Sequence, residues 1–156
     1  MRRLVLVLSA LVLAACAKKE APAPPPPPPP VAPPAPAPIN LASVAGNWDF
    51  KVMLATGDSV VTTFTLVATG DTTGWTMTLP KRKPLALQVT TSGDSVMTVS
   101  PQYESVLRKG VKVSTNSTFH MVGDKLVGTT VAHYAVKTAD SVVALRSEGT
   151  RAAAKP

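Results

Sequence analysis

From Asn47 onward the chain alternates apolar and polar side chains with a period of two, and the residues that do so are chiefly valine, threonine and serine. Two is the strand period, because successive side chains leave a pleated backbone on opposite faces. β-Branched residues also suit that half-buried surface. No stretch holds apolar residues at helical spacing long enough to compete. The domain beyond residue 40 is therefore expected to be built from strands.

Turn-forming pairs cut this region into eight runs, at 47–54, 59–69, 74–79, 85–91, 95–100, 111–122, 125–136 and 141–148. The breakers are Gly57-Asp58, Gly70-Asp71, Gly93-Asp94, Gly123-Asp124 and Ala139-Asp140, and glycine and aspartate tolerate the backbone angles that tight hairpins need. The alternation assigns an inner face to Trp48, Phe50, Val52 and Leu54, and then to Phe64 and Leu66. Trp75, Met77 and Leu79 continue it, followed by Leu85, Leu87 and Val89, by Val111, Val113, Phe119 and Met121, and by Val143 and Leu145. Asn116-Ser117-Thr118 reads as polar residues on the outside. Consecutive hairpin-linked strands predict an all-β domain over residues 41–151. The expected form is an eight-stranded antiparallel up-and-down barrel, whose closure removes exposed edges, with a β-sandwich as the alternative.

Gly46-Asn47-Trp48, opening the first run, resembles the Gly-x-Trp signature of the lipocalin and calycin barrels. The resemblance implies that Trp48 closes one end of a lipocalin-like barrel. It also implies that an arginine near the end of the last strand, Arg151 or else Arg146, stacks on the ring. Such a cation–π contact contributes about 0.5–2 kcal/mol.

The N-terminal part is of a different kind. Met1-Arg2-Arg3 is basic, residues 4–12 are apolar apart from Ser9, and Leu13-Ala14-Ala15-Cys16 follows. The apolar run is too short to span a bilayer but fits the core of a signal peptide, residues 1–15. The four residues resemble the lipobox of bacterial lipoproteins. That resemblance implies cleavage before Cys16, palmitate-type acylation of its thiol, and anchoring in a lipid bilayer of the cell envelope. With alanine at position 17 in place of a retaining aspartate, it implies the outer membrane, facing the periplasm or the cell surface. Residues 16–40 form the lipidated start and a proline-rich tether, with twelve of the chain's sixteen prolines between residues 21 and 38. Proline fixes φ and removes a donor, so neither helix nor sheet is available there. As polyproline II at about 3.1 Å per residue, those eighteen residues span on the order of 55 Å. Residues 152–156 are expected to be a disordered tail.

The formal charge of +7 falls to +3 over residues 41–151, from 11 basic and 8 acidic side chains. So small a surplus argues against nucleic acid as a partner. Cys16 is the chain's one cysteine, so the domain has no disulfide and no thiol chemistry. A two-residue Gly123-Asp124 hairpin would set His120 and His133 six residues apart along the sheet, on the order of 20 Å, too far to share a metal. No metal-ligand cluster, phosphate loop, nucleophile elbow or close carboxylate pair is present in the sequence. No cofactor is expected, and the domain is not read as an enzyme.

In a meander the loops alternate between two ends. The end away from the N-terminus of the first strand collects Lys81, Arg82, Lys83, Arg108, Lys109 and Lys137 against Asp58, Glu104 and Asp140. The other end holds Asp71, Asp94, Asp124 and Lys125. The basic end corresponds to the open mouth of lipocalin-like barrels and has the longest loop, 101–110, with Tyr103, Val106 and Leu107. Lys81, Arg82, Lys83, Tyr103, Arg108 and Lys109 are the candidate ligand-binding residues, for a small amphipathic or anionic ligand. The loop's apolar residues either meet that ligand or plug the barrel. The alternative function is a protein-binding or structural envelope module, such as an assembly accessory or a barrel-type protease inhibitor.

Overall fold

A computed structural model describes residues 37–153 of the chain. The expected signal segment, Cys16, the expected proline tether before residue 37 and the last three residues lie outside the described residues. The description begins with a single helical turn, α1 (Leu41–Val44), whose first free N–H, at Ala42, donates to the Asn40 side chain at 3.0 Å. Ten strand segments follow: β1 (Gly46–Leu54), β2 (Val60–Ala68), β3 (Thr76–Thr78), β4 (Leu85–Ala86), β5 (Gln88–Ser92), β6 (Ser95–Val99), β7 (Tyr103–Glu104), β8 (Lys112–Val122), β9 (Lys125–Tyr134) and β10 (Val142–Arg151).

Every pairing is antiparallel, and nine segments form one ladder in the order β4-β3-β2-β1-β10-β9-β8-β6-β5. The two ends of that ladder are neighbours in the chain. Only Leu87 separates β4 from β5, and its N–H donates to the Trp75 carbonyl at 2.9 Å. One bent run thus pairs with β3 through its first half and with β6 through its second, and the sheet is a nearly closed barrel of nine strands.

This architecture is the all-β antiparallel barrel expected from the alternation, but eight is not the observed count. The run at 85–91 breaks at Leu87, where the backbone turns from one neighbour to the other. Tyr103 and Glu104, expected in a loop, pair with Val113 and Lys112 as β7. The last strand continues to Arg151, beyond the expected residue 148. All ten segments belong to one hydrogen-bonded sheet, so the sandwich alternative does not apply.

The interior has three levels. At the end where the chain enters, Val44, Trp48, Phe50, Leu66, Trp75, Phe119 and Leu126 form the larger apolar cluster. At the opposite end Val52, Val113, Ala132, Tyr134 and Leu145 form the smaller one. Between them lie four buried hydroxyls on neighbouring strands, Thr98, Ser117, Thr130 and Ser147. Ser117 Oγ and Thr130 Oγ1 are 2.8 Å apart, and Thr130 Oγ1 lies 3.3 Å from Ser147 Oγ. Hydrogen bonding among Ser117, Thr130 and Ser147 lets these three stay inside at little cost. Ser117 was expected outside; it shares Phe119's inward parity and is buried.

Aromatic rings fill the larger cluster. Phe50 stacks on Phe64 with centroids 4.6 Å apart and meets Phe119 at 5.0 Å in a tilted contact. Its cross-strand partner is Gly149, where an added Cβ would lie 2.6 Å from the Phe50 ring. Glycine at that inward position gives the ring its space.

Candidate functional site

The two ends of the barrel are built differently, and the difference locates the site. At the end where the chain enters, α1 lies against Trp48, which is fully buried and donates from Nε1 to the Val44 carbonyl at 2.8 Å. Trp48 pairs across the ladder with Arg151, whose guanidinium carbon stands 4.5 Å above the indole. The same guanidinium donates from Nη1 to the Ala45 carbonyl at 2.9 Å and from Nη2 to the Ser43 carbonyl. Arginine therefore covers the ring and satisfies carbonyls at the helix end, where a cation is favoured. Gly46 has φ +134°, and a Cβ there would stand 2.9 Å from Arg151 Nη1. The positive φ, which side-chain-bearing residues rarely adopt, is what calls for glycine at this position.

At the other end the loops 55–59, 79–84, 100–111 and 135–141 meet. The third folds across the barrel opening. Ser105 is buried, and its Oγ accepts from the N–H groups of Leu107 and Arg108, each at 3.0 Å. Arg108 forms an ion pair with Asp140 at 2.9 Å and lies over the Tyr134 ring at 4.2 Å. Arg82 donates to the Glu104 carbonyl, and Glu104 Oε1 accepts from Gly110 N–H at 3.4 Å. Asp58 pairs with Arg146 at 2.7 Å.

Beneath this loop is a cavity of about 50 Å³. Val52, Phe64, Leu79, Leu87, Val113, Phe119 and Leu145 give it apolar walls, with Thr98, Thr115, Ser117 and Thr130 among them. Tyr103, Val106 and Leu107 close it from above. Among the described residues no charged side chain lines it. Burial, ahead of every other influence, pushes the Tyr103 phenol above its ordinary range, so it remains a neutral donor. A water needs roughly 10–15 Å³, so the space is large enough to admit water.

The six candidate ligand residues thus fall into three groups. Lys81, Lys83 and Lys109 are exposed in the loops of the mouth end, Lys81 beside an outer groove along β1, β2 and β3. Arg82 and Arg108 are half-buried and hold loops together. Tyr103 belongs to the cavity. Trp48 and Arg151 meet at the opposite end. Trp75, taken in the sequence as inner-facing, is buried beside Trp48 and does not reach the cavity. Three contributors were not singled out from sequence: the Ser105 turn, the Arg108–Asp140 pair and the buried hydroxyls. Only the hydroxyls left a signal there, since Ser117 stands two residues before inward-facing Phe119.

The Gly123-Asp124 hairpin pairs His120 with Val127 and His133 with Ser114, and both imidazoles are exposed. Among the described residues no group of three His, Cys, Asp or Glu side chains is placed to hold a metal ion. A second, open groove of about 470 Å³ runs outside β1, β2 and β3 past Lys51, Thr63, Thr65 and Thr78. Its one carboxylate, Asp49, accepts from Thr65 at 3.3 Å. Comparison with protein-family models, with curated proteins and with solved structures gave no match.

Proposed function

We propose that this chain is a lipoprotein of the bacterial envelope, held by acylated Cys16 in the outer membrane, and that its lipocalin-like barrel is a non-catalytic binding module. The ligand is a slender amphipathic anion. Its alkyl part enters beneath the 101–110 loop, and its charged head stays among Lys81, Lys83 and Lys109. One observation carries this reading: the lining of the cavity is apolar and hydroxyl-bearing with no charge among the described residues, while exposed Lys81, Lys83 and Lys109 belong to the loops of that same end. Burying a charge inside would be costly, so only the uncharged part of a ligand belongs there.

Calorimetric titration with decanoate and with decanol tests it. Decanoate is expected to bind saturably, decanol more weakly, and Val113→Phe, which fills the cavity, to abolish both. Absence of binding by either alkyl chain refutes the reading. For the anchor, Cys16→Ala is expected to release the protein from the membrane fraction or leave it unprocessed; normal processing with full membrane retention refutes lipidation.

The cavity's size favours a second reading, a protein-binding or structural envelope module. At about 50 Å³ it is well below the roughly 300–1,000 Å³ usual for ligand pockets, so the 101–110 loop must move for a ligand to enter. In that reading Val106 and Leu107 plug the barrel, and the rim itself is the working surface.

A further inference from the structure

We propose that the mouth end of the barrel is a docking face for an anionic lipid bilayer. The inference concerns the rim and not the cavity, so it stands whether or not a ligand enters.

Three observations converge on this face. The first is charge left over after pairing. Asp58 is engaged by Arg146 and Asp140 by Arg108, while Glu104 accepts from Gly110 N–H. Lys81, Lys83, Lys109 and Lys137 at the same end are exposed and form no ion pair among the described residues. The second is the distribution of apolar surface. Of the eight large aliphatic side chains that stand exposed, Leu54, Val60, Val99, Val106, Leu107 and Val142 lie toward this end; Val67 and Val122 lie toward the other. The third is the contrast across the barrel. Among the described residues the opposite end presents Asp71, Asp94 and Asp124; Lys125 there is held by Glu148 at 2.7 Å, Arg151 lies over Trp48 and donates to the Ala45 and Ser43 carbonyls, and the chain enters there, with Ile39 N–H donating to the Gly93 carbonyl at 2.8 Å. The barrel therefore has a basic, aliphatic end and an acidic end.

The residue types select lipid over other polyanions. A sugar polymer would call for exposed aromatic rings, whereas the mouth's tyrosines, Tyr103 and Tyr134, are turned into the cavity wall. An acidic protein partner would call for fixed arginine forks, and Arg82 and Arg108 are already used to hold loops. What remains is flexible lysines interleaved with short aliphatic chains. That set suits a diffuse anionic surface with an apolar layer just beneath it, because lysine stems lie along apolar material while their ammonium groups stay at the headgroups.

The test uses the chain without residues 1–16, which lacks the acylation site and keeps every strand of the barrel, in co-sedimentation with vesicles. Binding is expected to phosphatidylcholine vesicles containing phosphatidylglycerol and not to phosphatidylcholine alone, and to weaken as salt is raised. Each lysine near an anionic surface is worth about fivefold in binding, so K81E/K83E/K109E is expected to weaken it by more than about a hundredfold. Leu107→Ser is expected to weaken it several-fold with an unchanged circular-dichroism spectrum. Asp94→Lys at the opposite end and Val113→Phe in the cavity are expected to leave it intact. Equal binding to uncharged vesicles, no binding to either kind, or indifference to the charge reversal overturns the proposal. Loss of binding in Val113→Phe with the rim unaltered would assign vesicle capture to the cavity and overturn the docking face as well.

Discussion

Both ends of this barrel place an arginine over an aromatic ring, and the two pairs have opposite consequences. Arg151 covers Trp48 at 4.5 Å, and Arg108 covers Tyr134 at 4.2 Å. The indole beneath Arg151 is fully buried, and the guanidinium is bound to backbone carbonyls that cannot move without unwinding α1. Arg108 is bound to Asp140, a side chain 63% exposed on a neighbouring loop. Water and salt compete for that pair, and exposed ion pairs contribute little, about 0–1 kcal/mol. One contact closes the structure; the other is a latch that can open. Both rings are buried, so the same chemistry is permanent or reversible according to what else the guanidinium holds, backbone carbonyls in one case and an exposed carboxylate in the other.

The comparison can be broken in several ways. The largest effect is expected from Trp48→Ala, which removes a fully buried ring and should cost about 3–5 kcal/mol in urea denaturation; a loss under about 1 kcal/mol would mean that this end is not a structural closure. Gly149→Ala drives a methyl group into the Phe50 ring and should cost about 1–3 kcal/mol on the same scale. Unchanged stability there would show that the ring has room to spare. Arg151→Ala loses a cation–π contact and two carbonyl bonds, an expected loss of about 1–3 kcal/mol. Arg108→Ala should lower global stability by less than about 1 kcal/mol while speeding amide exchange across residues 103–110. Equal losses from the two arginines would erase the distinction.

The smallest effect concerns acid. The Thr138 hydroxyl, and after it the Arg108 charge, holds the Asp140 carboxyl below its ordinary value of 3.8. The folded value is depressed, so the stabilisation is present above the unfolded value and is lost as pH falls below about 3.8 and through the lower folded value. Asp71, near Trp75, is lowered in the same direction, first by the Thr73 N–H and then by the Thr73 hydroxyl. Asp140 governs a latch and Asp71 a turn, so acidification through this window should loosen residues 103–110 before the Trp48 end, as followed by residue-resolved exchange. Simultaneous loosening of both ends would contradict separate control.

Much of this was legible in the sequence. Period-two alternation picked out most of the side chains that face inward, though Leu54, read as inner, stands exposed at the end of its strand; the Gly-Asp pairs marked the hairpins at 93–94 and 123–124. Parity alone does not say at what height in the barrel a residue lies, so the three-level interior was hidden. Ser117 looked like an outer-face residue because serine and threonine also populate the solvent side of these strands; only its register against Phe119 distinguishes it. The bend at Leu87 depends on where Trp75 and β6 come to lie, and β7 depends on β8 across an intervening loop. Such pairings are set by tertiary neighbours, not by local composition. Lys81, Arg82 and Lys83 read as one basic cluster, yet the middle residue is taken up by Glu104 while its neighbours stay free.

Native-state hydrogen exchange, read residue by residue, tests the contrast between the ends most directly. A closed end and a latched mouth require amides of β1 and β10 around Trp48 and Arg151 to exchange only through global unfolding, with residues 103–110 and 137–140 exchanging far faster and faster still in high salt. Protection of the mouth segment equal to that around Trp48, insensitive to salt, would contradict it.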